Sequence, residues 1–336
     1  MANRGLIGIV ACEAGKPFAE KVYNYLLEII QKEQVEANVK LIEGKDIHFK
    51  STDIKYILEE SIRGRDIFVI QDVENSTLPY SVPENFWSLK SAIDACKRSD
   101  AHYVTAVTPV FPAARQDRSV QRESVDAALV AQELENLGTD RIITLDVHNE
   151  ALICAFRRMK FENLHASKNI IDYIKNEMGT KNLVVLPPDL GAVKRANHYA
   201  KELKTPMGFV YKRRDYSKEN VIEEIKVYGD FKRLKGKKLL IVDDMIDTGG
   251  TMLASAEEVK KKYEPSEIHL VCSLPLFNGN AIEKLTNAYK KGIINSVIGT
   301  DAVYHGGEGF LKANPWYKEV SVAKYFARVI FNINHY

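Results

Sequence analysis

The sequence LLIVDDMIDTGGTM, from Leu239 to Met252, changes character halfway along its length. Its first four residues are apolar, which is typical of a strand buried in a sheet. Two adjacent carboxylates, Asp243 and Asp244, follow the apolar run, and the flexible, hydroxylated sequence D-T-G-G-T then leads towards a predicted helix. In α/β sheets, ligands bind beyond the carboxyl ends of the strands. This stretch therefore predicts a ligand site at the end of a strand.

The glycine-rich turn has the chemistry of a phosphate site. It offers consecutive backbone N–H groups, two hydroxyls, and glycines that let the chain curl without Cβ clashes at the start of a helix. Its residues are Asp247, Thr248, Gly249, Gly250 and Thr251. Asp243 and Asp244 suit hydrogen bonds from sugar hydroxyls or a hydrated Mg²⁺. We therefore predict a sugar-phosphate site, and the alternative is a polar turn that only caps the helix.

Length and composition limit the class of protein. The chain has 336 residues, which suits two domains. Its 47 basic and 45 acidic residues are nearly balanced, so no global charge predicts binding to nucleic acid or to an anionic membrane. The four cysteines are far apart, which is typical of reduced thiols in a cytoplasmic protein. The apolar run GLIGIVAC is too short to span a membrane and predicts a first strand.

Short apolar runs alternate with segments of helical periodicity. The predicted strands span residues 6–11, 67–71, 103–107, 142–145, 183–186, 207–211, 239–242 and 268–273. The predicted helices span residues 18–34, 86–98, 124–137, 166–178, 192–203, 252–263 and 316–331. Continuous apolar strands that alternate with helices predict an α/β fold with mainly parallel sheets flanked by helices.

The two halves of the chain resemble each other. One predicted strand of the first half ends in Asp146 and His148, and one of the second half ends in Asp243 and Asp244. This pseudo-repeat predicts two related α/β domains. Their predicted limits are residues 1–164, joined by the C-terminal segment 317–336, and residues 165–316.

Polar groups also follow other predicted strands. Arg115 and Gln116 come after a proline-containing loop, and we favour a ligand role for them over a surface ion pair. His148 is a candidate Mg²⁺ or phosphate partner, although a lone histidine in this position is often a core or capping residue. Asp189 follows two prolines and precedes a predicted helix, so it suits a ligand role, an N-cap, or both.

A long basic segment covers residues 212–237 and begins where a predicted strand ends. Segments of this length between strands are often lids over active sites. Lys212, Arg213 and Arg214 lie at its start, so their charges can reach a pocket at the strand end. Phosphoryl-type transfer depends on neutralising charge on phosphate oxygens, which basic residues supply. The alternative is a solvated run of charges.

At this point the motifs resemble a known family. The string VDDMIDTGGT looks like the ribose 5-phosphate signature of ribose-phosphate pyrophosphokinases (PRPP synthetases), and phosphoribosyltransferases share its D-T-G-G-T core. Further stretches resemble the synthetases in the same order: EESIRGRDIFVIQ (59–71), PVFPAARQDR (109–118), LDVHNE (145–150), PPDLGAVKRA (187–196) and KRRDYSKEN (212–220). The resemblance spans about residues 5–310.

The resemblance implies two phosphoribosyltransferase-like domains and Mg²⁺-dependent transfer of pyrophosphate from ATP to the C1 hydroxyl of ribose 5-phosphate, giving PRPP and AMP. The ATP-binding residues would be Phe49, Ser51, Asp53, Arg115 and Gln116. The ribose 5-phosphate-binding residues would be Asp243, Asp244, Asp247, Thr248, Gly249, Gly250 and Thr251. The metal-binding residues would be His148 and Asp189, and the catalytic residues Lys212, Arg214 and His148. The family also forms dimers that build hexamers, with an ATP site shared between subunits.

The sequence departs from the family pattern in the C-terminal segment 302–336, whose role stays open, and in three further places. The adenine-side segment, usually F-S-D-G-E, is FKSTD here, so Ser51 replaces an Asp or Asn and Asp53 replaces a Glu. Ala192 replaces a common glycine in the pyrophosphate loop, and the stretch SVQRES after Arg118 is about one residue shorter than usual. Nucleotide choice and inhibition by ADP therefore stay open.

Two other functions fit parts of the sequence. A phosphoribosyltransferase would use the sugar-phosphate signature, but it would leave Arg115, Gln116 and His148 without a role. A catalytically silent paralogue that regulates a true synthetase would fit the altered segment at 49–53, but not the retained Lys212 and Arg214. Release of AMP from ATP and ribose 5-phosphate distinguishes a synthetase from both alternatives.

Overall fold

The computed structural model of the protein describes residues 4–35, 39–214, 222–228 and 234–336, with backbone only for 209–214 and 222–228. The chain divides into two compact units. The first contains the described residues up to His165, together with 301–306 and 321–336. The second contains the described residues of 166–300 and 307–320. The expected limits differ from this division at His165 and at residues 301–306, which belong to the first unit, and at 317–320, which belong to the second.

The first unit is built on a six-stranded parallel sheet. Its elements are β1 (Ile7–Ala11), α1 (Lys16–Glu33), β2 (Val39–Ile42), β3 (Gly44–His48), β4 (Ile54–Leu58), β5 (Asp66–Ile70), α2 (Val82–Arg98), β6 (Tyr103–Val107), α3 (Asp126–Asn136), β7 (Arg141–Leu145) and β8 (Lys160–Leu164). The strand order is β2-β1-β5-β6-β7-β8, and β3 and β4 form a separate antiparallel hairpin. Every residue of β1, β5 and β7 is buried, as expected for strands covered on both faces.

The second unit contains a five-stranded parallel sheet. Its elements are α4 (Ser167–Tyr173), β9 (Leu183–Leu186), α5 (Val193–Leu203), β10 (Phe209–Arg214), β11 (Ile222–Tyr228), β12 (Lys238–Ile246), α6 (Gly250–Tyr263), β13 (Glu267–Pro275), α7 (Ala281–Lys290), β14 (Ser296–Thr300), α8 (Gly307–Ala313) and β15 (Tyr317–Val320). The strand order is β15-β14-β13-β12-β9, and β10 and β11 form an antiparallel hairpin. The predicted α/β fold with parallel sheets flanked by helices is confirmed.

The C-terminal segment differs from its prediction. The single helix expected at 316–331 is wrong, because Tyr317–Val320 form strand β15 at the edge of the second sheet. Helix α9 (Ala323–His335) follows and packs on α1 in the first unit. Phe326 is fully buried there, with its ring edge-on to that of Phe18 at a centroid separation of 5.2 Å. The last helix therefore completes the core of the first unit.

Replacing Phe326 by leucine should lower the free energy of unfolding of the first unit by about 1 kcal/mol, because the edge-to-face ring contact is lost while most of the buried volume is kept. Urea denaturation followed by circular dichroism measures the change. Tyr336→Leu is the matched control, because Tyr336 is 92% exposed at the chain terminus, and it should change stability by less than about 0.5 kcal/mol. Equal effects of the two substitutions would contradict the packing role of α9.

Two further differences concern the candidate site. Strand β12 does not end at Val242 but continues to Ile246, so Asp243 and Asp244 lie within it. The segment expected to be a loop from residue 212 begins inside β10, and residues 222–228 form β11. Residues 215–221 and 229–233 of that segment lie outside the described part of the chain.

Candidate active site

Two adjacent carboxylates lie in β12 of the second unit. Asp243 is opposite Cys272 of β13 in the parallel register, and Asp244 is 5% exposed. The Asp244 N–H donates to Oδ1 of Asp243 at 2.9 Å, and the Met245 N–H donates to Oδ1 of Asp244 at 2.8 Å. Burial, together with the neighbouring Asp244 charge, raises the pKa of Asp243 to about 8. Ionisation of both carboxylates is therefore unfavourable here, and a bound cation or hydrogen bonds from hydroxyl groups would offset the charge repulsion.

The glycine-rich turn lies directly after these acids and opens α6. Gly249 has a φ of +74°, in the left-handed region, and is the N-cap of the helix. Its carbonyl accepts the Leu253 N–H at 3.0 Å, which is the first hydrogen bond of α6. The first N–H groups of a helix have no partner within the helix itself. Thr248 and Gly250 are exposed on either side of Gly249. The turn thus presents an accessible helix N-terminus, as phosphate binding requires.

A buried serine ties this turn to the loop after β9. Ser255 of α6 is fully buried, and its hydroxyl lies 3.2 Å from the Pro188 carbonyl and 3.1 Å from the Thr251 carbonyl. Asp189 follows Pro188, and its Oδ1 accepts the N–H groups of Gly191 at 2.9 Å and Ala192 at 3.3 Å. The Asp189 charge also contributes to the raised pKa of Asp243. The structure therefore brings Asp189 together with the predicted sugar-phosphate residues.

Replacing Gly249 by alanine should lower the free energy of unfolding by about 1–2 kcal/mol, because a Cβ disfavours its left-handed backbone. The same substitution should raise KM for a phosphorylated substrate that binds at this turn, because relieving the strain moves the N–H groups at the start of α6. Gly292→Ala is a matched control, since Gly292 also has a positive φ, of +67°, and a Cβ added there would meet no described atom within 4 Å. The control should show a similar stability loss at an unchanged KM; a raised KM in both variants would contradict the local role of Gly249.

The catalytic candidates Lys212 and Arg214 lie on β10 of the same unit. Lys212 is opposite Ile225 of β11, and the register shifts between Arg213 and Arg214. Their backbone is described, and their side chains lie outside the described structure. The structure therefore places Lys212 and Arg214 on a β-hairpin rather than in an irregular loop.

In the first unit, the loop after β6 carries Arg115 and Gln116. The Pro109 carbonyl accepts both the Leu145 N–H at 3.0 Å and the Thr144 hydroxyl at 3.2 Å, which fixes the loop to β7. Phe111 is buried beneath the loop, edge-on to Phe156. Arg115 and Gln116 are both exposed beyond this anchor. The loop therefore presents two polar side chains from a fixed base at the carboxyl end of the sheet.

His148 follows a strained residue at the end of β7. Asp146 is buried, yet its φ is +42°, in the left-handed region. Its N–H donates to the Leu164 carbonyl at 2.8 Å, and its Oδ1 lies 2.9 Å from Nδ1 of His165. These contacts turn the chain so that His148 is exposed immediately beyond the sheet. Strain of this kind is common where a functional side chain must be held in one place.

The remaining ATP candidates lie on a different element of the first unit. Phe49, Ser51 and Asp53 form the tip of the β3–β4 hairpin. The tip is closed by hydrogen bonds from the Phe49 N–H to the Asp53 carbonyl at 2.9 Å and from the Ser51 hydroxyl to Oδ2 of Asp53 at 2.6 Å. Phe49 is 46% exposed, with the Lys55 ammonium 5.6 Å from its ring centroid. An exposed aromatic ring at a hairpin tip is suited to stacking on a base.

The described residues contain one group of three side chains whose metal-ligating atoms all lie within 4.8 Å of one another, and it is Glu13, Asp46 and His48. It contains neither His148 nor Asp189. The donor chemistry around Asp189 nevertheless suits Mg²⁺, because Asp189 adds a third carboxylate to Asp243 and Asp244, and carboxylate oxygens are the ligands Mg²⁺ prefers.

Two residues that shape the site were not predicted as site residues from the sequence. Ser255 belongs to no motif, and only its spacing of four residues from Thr251 on α6 could have suggested a contact. Asp146 lies two residues before His148, but nothing in the sequence indicates its positive φ. Both act by holding other residues in place, so motifs that mark ligand-binding side chains give no means of finding them.

Known proteins resemble the chain over most of its length. A family profile described as the N-terminal domain of ribose phosphate pyrophosphokinase matches residues 7–138, and a phosphoribosyl transferase domain profile matches residues 157–309. A ribose-phosphate pyrophosphokinase from Chlorobaculum tepidum is 39% identical, covering 87% of this chain and 84% of that protein. One from Wolinella succinogenes is 36% identical, covering 85% and 86%. The crystal structure of phosphoribosylpyrophosphate synthetase from Mycobacterium smegmatis is 26% identical, with a TM-score of 0.83 over 98% of each chain.

Parallel sheets with a phosphate-type turn after a pair of acids define a protein of the phosphoribosyltransferase fold class. The similarity across both units is more specific: the chain belongs to the ribose-phosphate pyrophosphokinase family. The predicted family and enzyme class are confirmed. Within the described residues, every helix is too short or too polar to cross a lipid bilayer.

Proposed function

We propose that the protein transfers pyrophosphate from ATP to the C1 hydroxyl of ribose 5-phosphate, giving PRPP and AMP for nucleotide biosynthesis. The observation that carries this proposal is the accessible N-terminus of α6 directly beyond Asp243 and Asp244 on the same strand. A phosphate and a polyhydroxylated ring are recognised together there. The similarity to ribose-phosphate pyrophosphokinases over both units supports the reaction.

The second unit supplies the sugar-phosphate contacts. The 5-phosphate accepts hydrogen bonds from the backbone N–H groups and hydroxyls of the turn at 247–251. The ribose hydroxyls donate to Asp243 and Asp244, and these bonds favour the ionised carboxylates. Lys212 and Arg214 neutralise the charge that develops on the transferred pyrophosphate, which is where electrostatic stabilisation lowers the barrier most.

The first unit supplies the nucleotide contacts. Phe49 stacks on the base, with Ser51 and Asp53 at its polar edge. Arg115 and Gln116 donate hydrogen bonds to the triphosphate, and the guanidinium of Arg115 suits bidentate binding of phosphate oxygens. His148 contacts the metal-bound triphosphate at the end of β7.

Mg²⁺ is the proposed cofactor, and His148 and Asp189 are the proposed ligands. When bound, it neutralises triphosphate charge and polarises the phosphoryl oxygens. The protein's own residues orient the anomeric hydroxyl for in-line attack on the β-phosphorus, with AMP as the leaving group. No covalent enzyme intermediate forms, and we assign no dedicated general base among the described residues.

We further propose a cytoplasmic homo-oligomer that is built from dimers and shares its ATP site between subunits. The exposed position of Phe49 at a hairpin tip supports this, because an aromatic ring there is available to a neighbouring copy. Size-exclusion chromatography with light scattering measures the assembly.

A coupled assay tests the function. The purified protein is incubated with ATP, ribose 5-phosphate and Mg²⁺, and AMP and PRPP are quantified by chromatography. Equimolar AMP and PRPP support the proposal. A phosphoribosyltransferase would form neither product but would consume added PRPP with a nucleobase. A silent regulatory paralogue would form neither product alone but would alter the rate of an added active synthetase.

A further inference from the structure

Three side chains with metal-binding chemistry converge in the first unit, and none of them is assigned to ATP or ribose 5-phosphate. Glu13 lies in the short turn after β1, and Asp46 and His48 lie two residues apart on β3. Residues two positions apart on a strand lie on the same face, so Asp46 and His48 share one face of β3. One ligating atom from each lies within 4.8 Å of the other two. The fold thus gathers one imidazole and two carboxylates from two separate elements.

The histidine of this group has a nitrogen without a hydrogen-bond partner among the described residues. Nε2 of His48 is buried and makes no hydrogen bond there, and it lies 3.8 Å from Oε2 of Glu13. Buried polar atoms are normally hydrogen-bonded, so this nitrogen, which faces the Glu13 carboxylate, is suited to act as a metal ligand. Two atoms bound to one Zn²⁺ in tetrahedral geometry lie about 3.3 Å apart, so small side-chain movements would close the site.

Neighbouring groups orient the three side chains. Oδ2 of Asp46 accepts the Glu13 backbone N–H at 2.5 Å, and its Oδ1 accepts the hydroxyl of Ser88 from α2. The ring of Tyr80 stacks on His48 at a centroid separation of 3.9 Å, and its hydroxyl lies 3.4 Å from Oε2 of Glu13. Metal-binding side chains are usually held by such outer contacts, which fix the direction of their lone pairs.

We propose that Glu13, Asp46 and His48 form a site for a divalent transition-metal ion, with Zn²⁺ as the occupant. One imidazole together with two carboxylates is a ligand set that Zn²⁺ binds directly, whereas Mg²⁺ and Ca²⁺ sites are built mainly from oxygen atoms. Three protein ligands leave a fourth position for water.

The proposed site lies between the β3–β4 hairpin and the turn after β1. β3 leads directly to the hairpin tip that carries Phe49, and the other ligand, Glu13, belongs to the turn after β1 of the main sheet. A bound ion would therefore tie the hairpin to the sheet. The metal would stabilise the element that presents Phe49 without taking part in the transfer reaction.

Zinc binding by the full-length protein tests this proposal. Equilibrium dialysis is run with excess Mg²⁺, which competes for the oxygen-rich catalytic site, and bound zinc is measured by atomic emission. We expect one tightly bound equivalent in the wild type. Glu13→Gln and His48→Asn should each lose it, and Ser88→Ala should raise the Kd by about tenfold because Asp46 is less well oriented. His102→Asn removes an exposed histidine elsewhere and should retain the equivalent.

Hydrogen exchange provides a second readout that does not depend on activity. Zinc should slow amide exchange in β3 and β4 of the wild type and not in Glu13→Gln, whose partly exposed side chain can be changed without disturbing the core. Zinc stoichiometry that is equal in the wild type and in both ligand variants would overturn the proposal. Absence of a bound equivalent in the wild type would overturn it as well, leaving a histidine–carboxylate ion pair.

Discussion

Replacing Lys212 by alanine should lower kcat by about 10³-fold or more while leaving the free energy of unfolding nearly unchanged. Transfer of pyrophosphate carries several negative charges through the transition state, and removing a cation that contacts them costs about this much in related phosphoryl transfers. Lys212 lies on the two-stranded β10–β11 hairpin, outside the five-stranded sheet that contains the core of the second unit. The substitution removes a positive charge from a hairpin that is separate from the five-stranded sheet.

Lys226→Ala is the matched control for this prediction. Lys226 lies on β11, opposite Tyr211 of the same hairpin, and no motif assigns it a role. Its replacement removes an equal charge from the same element, so a general electrostatic effect would lower kcat in both variants. Initial rates of AMP release at saturating substrates and thermal unfolding curves measure the two effects. A wild-type kcat in Lys212→Ala would refute the assignment of Lys212.

Local patterns explain why much of the second unit could be predicted. The apolar run before Asp243 predicts a buried strand because its continuous hydrophobicity is incompatible with solvent on either face. The glycine pair then predicts both a turn and a phosphate-binding site, because the backbone conformation that forms the turn can also direct N–H groups towards a phosphate. The observed φ of Gly249 agrees with that interpretation. Each of these inferences concerns residues that are neighbours in sequence.

Contacts between distant residues could not be predicted in the same way. The group of Glu13, Asp46 and His48 depends on how a turn after β1 meets a hairpin, and no spacing in the sequence encodes that meeting. The strand Tyr317–Val320 does not show in the sequence because its residues have no clear alternation, and only pairing with β14 makes it a strand. Tertiary pairing overrides local propensity in such short segments.

The acids of β12 show why the candidate site is expected to be less stable than its surroundings. Asp243 and Asp244 are held side by side in a buried strand, and the nearby charge of Asp189 adds to the repulsion. Binding of a sugar phosphate and a metal would offset this repulsion. Without them, the repulsion between the carboxylates lowers the stability of the folded protein at this site. Sites with this property commonly gain stability and lose function when one charge is removed.

Replacing Asp243 by asparagine should therefore raise KM for ribose 5-phosphate by about 10- to 100-fold and stabilise the ligand-free protein at neutral and alkaline pH. The folded-state pKa of Asp243 is about 8, above the unfolded value of about 3.9. Between these values the folded state retains a proton that the unfolded state has lost, so wild-type stability falls as pH rises through this window. The slope is at most about 1.4 kcal/mol per pH unit, and the fall ends above the folded pKa. Asparagine cannot ionise, so the variant should lack this contribution.

Urea denaturation between pH 5 and pH 9, without Mg²⁺ or substrates, measures that difference directly. Asp172→Asn is the matched control, because Asp172 lies on α4 in an exposed ion pair with Lys168 and is remote from the acids of β12 in sequence. Its curve should run parallel to that of the wild type, whereas the curve of Asp243→Asn should be flatter and lie higher at pH 8. Asp189→Asn should give a smaller total fall that ends at a lower pH, because the Asp189 charge supplies part of the shift. Parallel curves for all four proteins would show that Asp243 ionises freely in the folded state, and the strain attributed to the acid pair would then be absent.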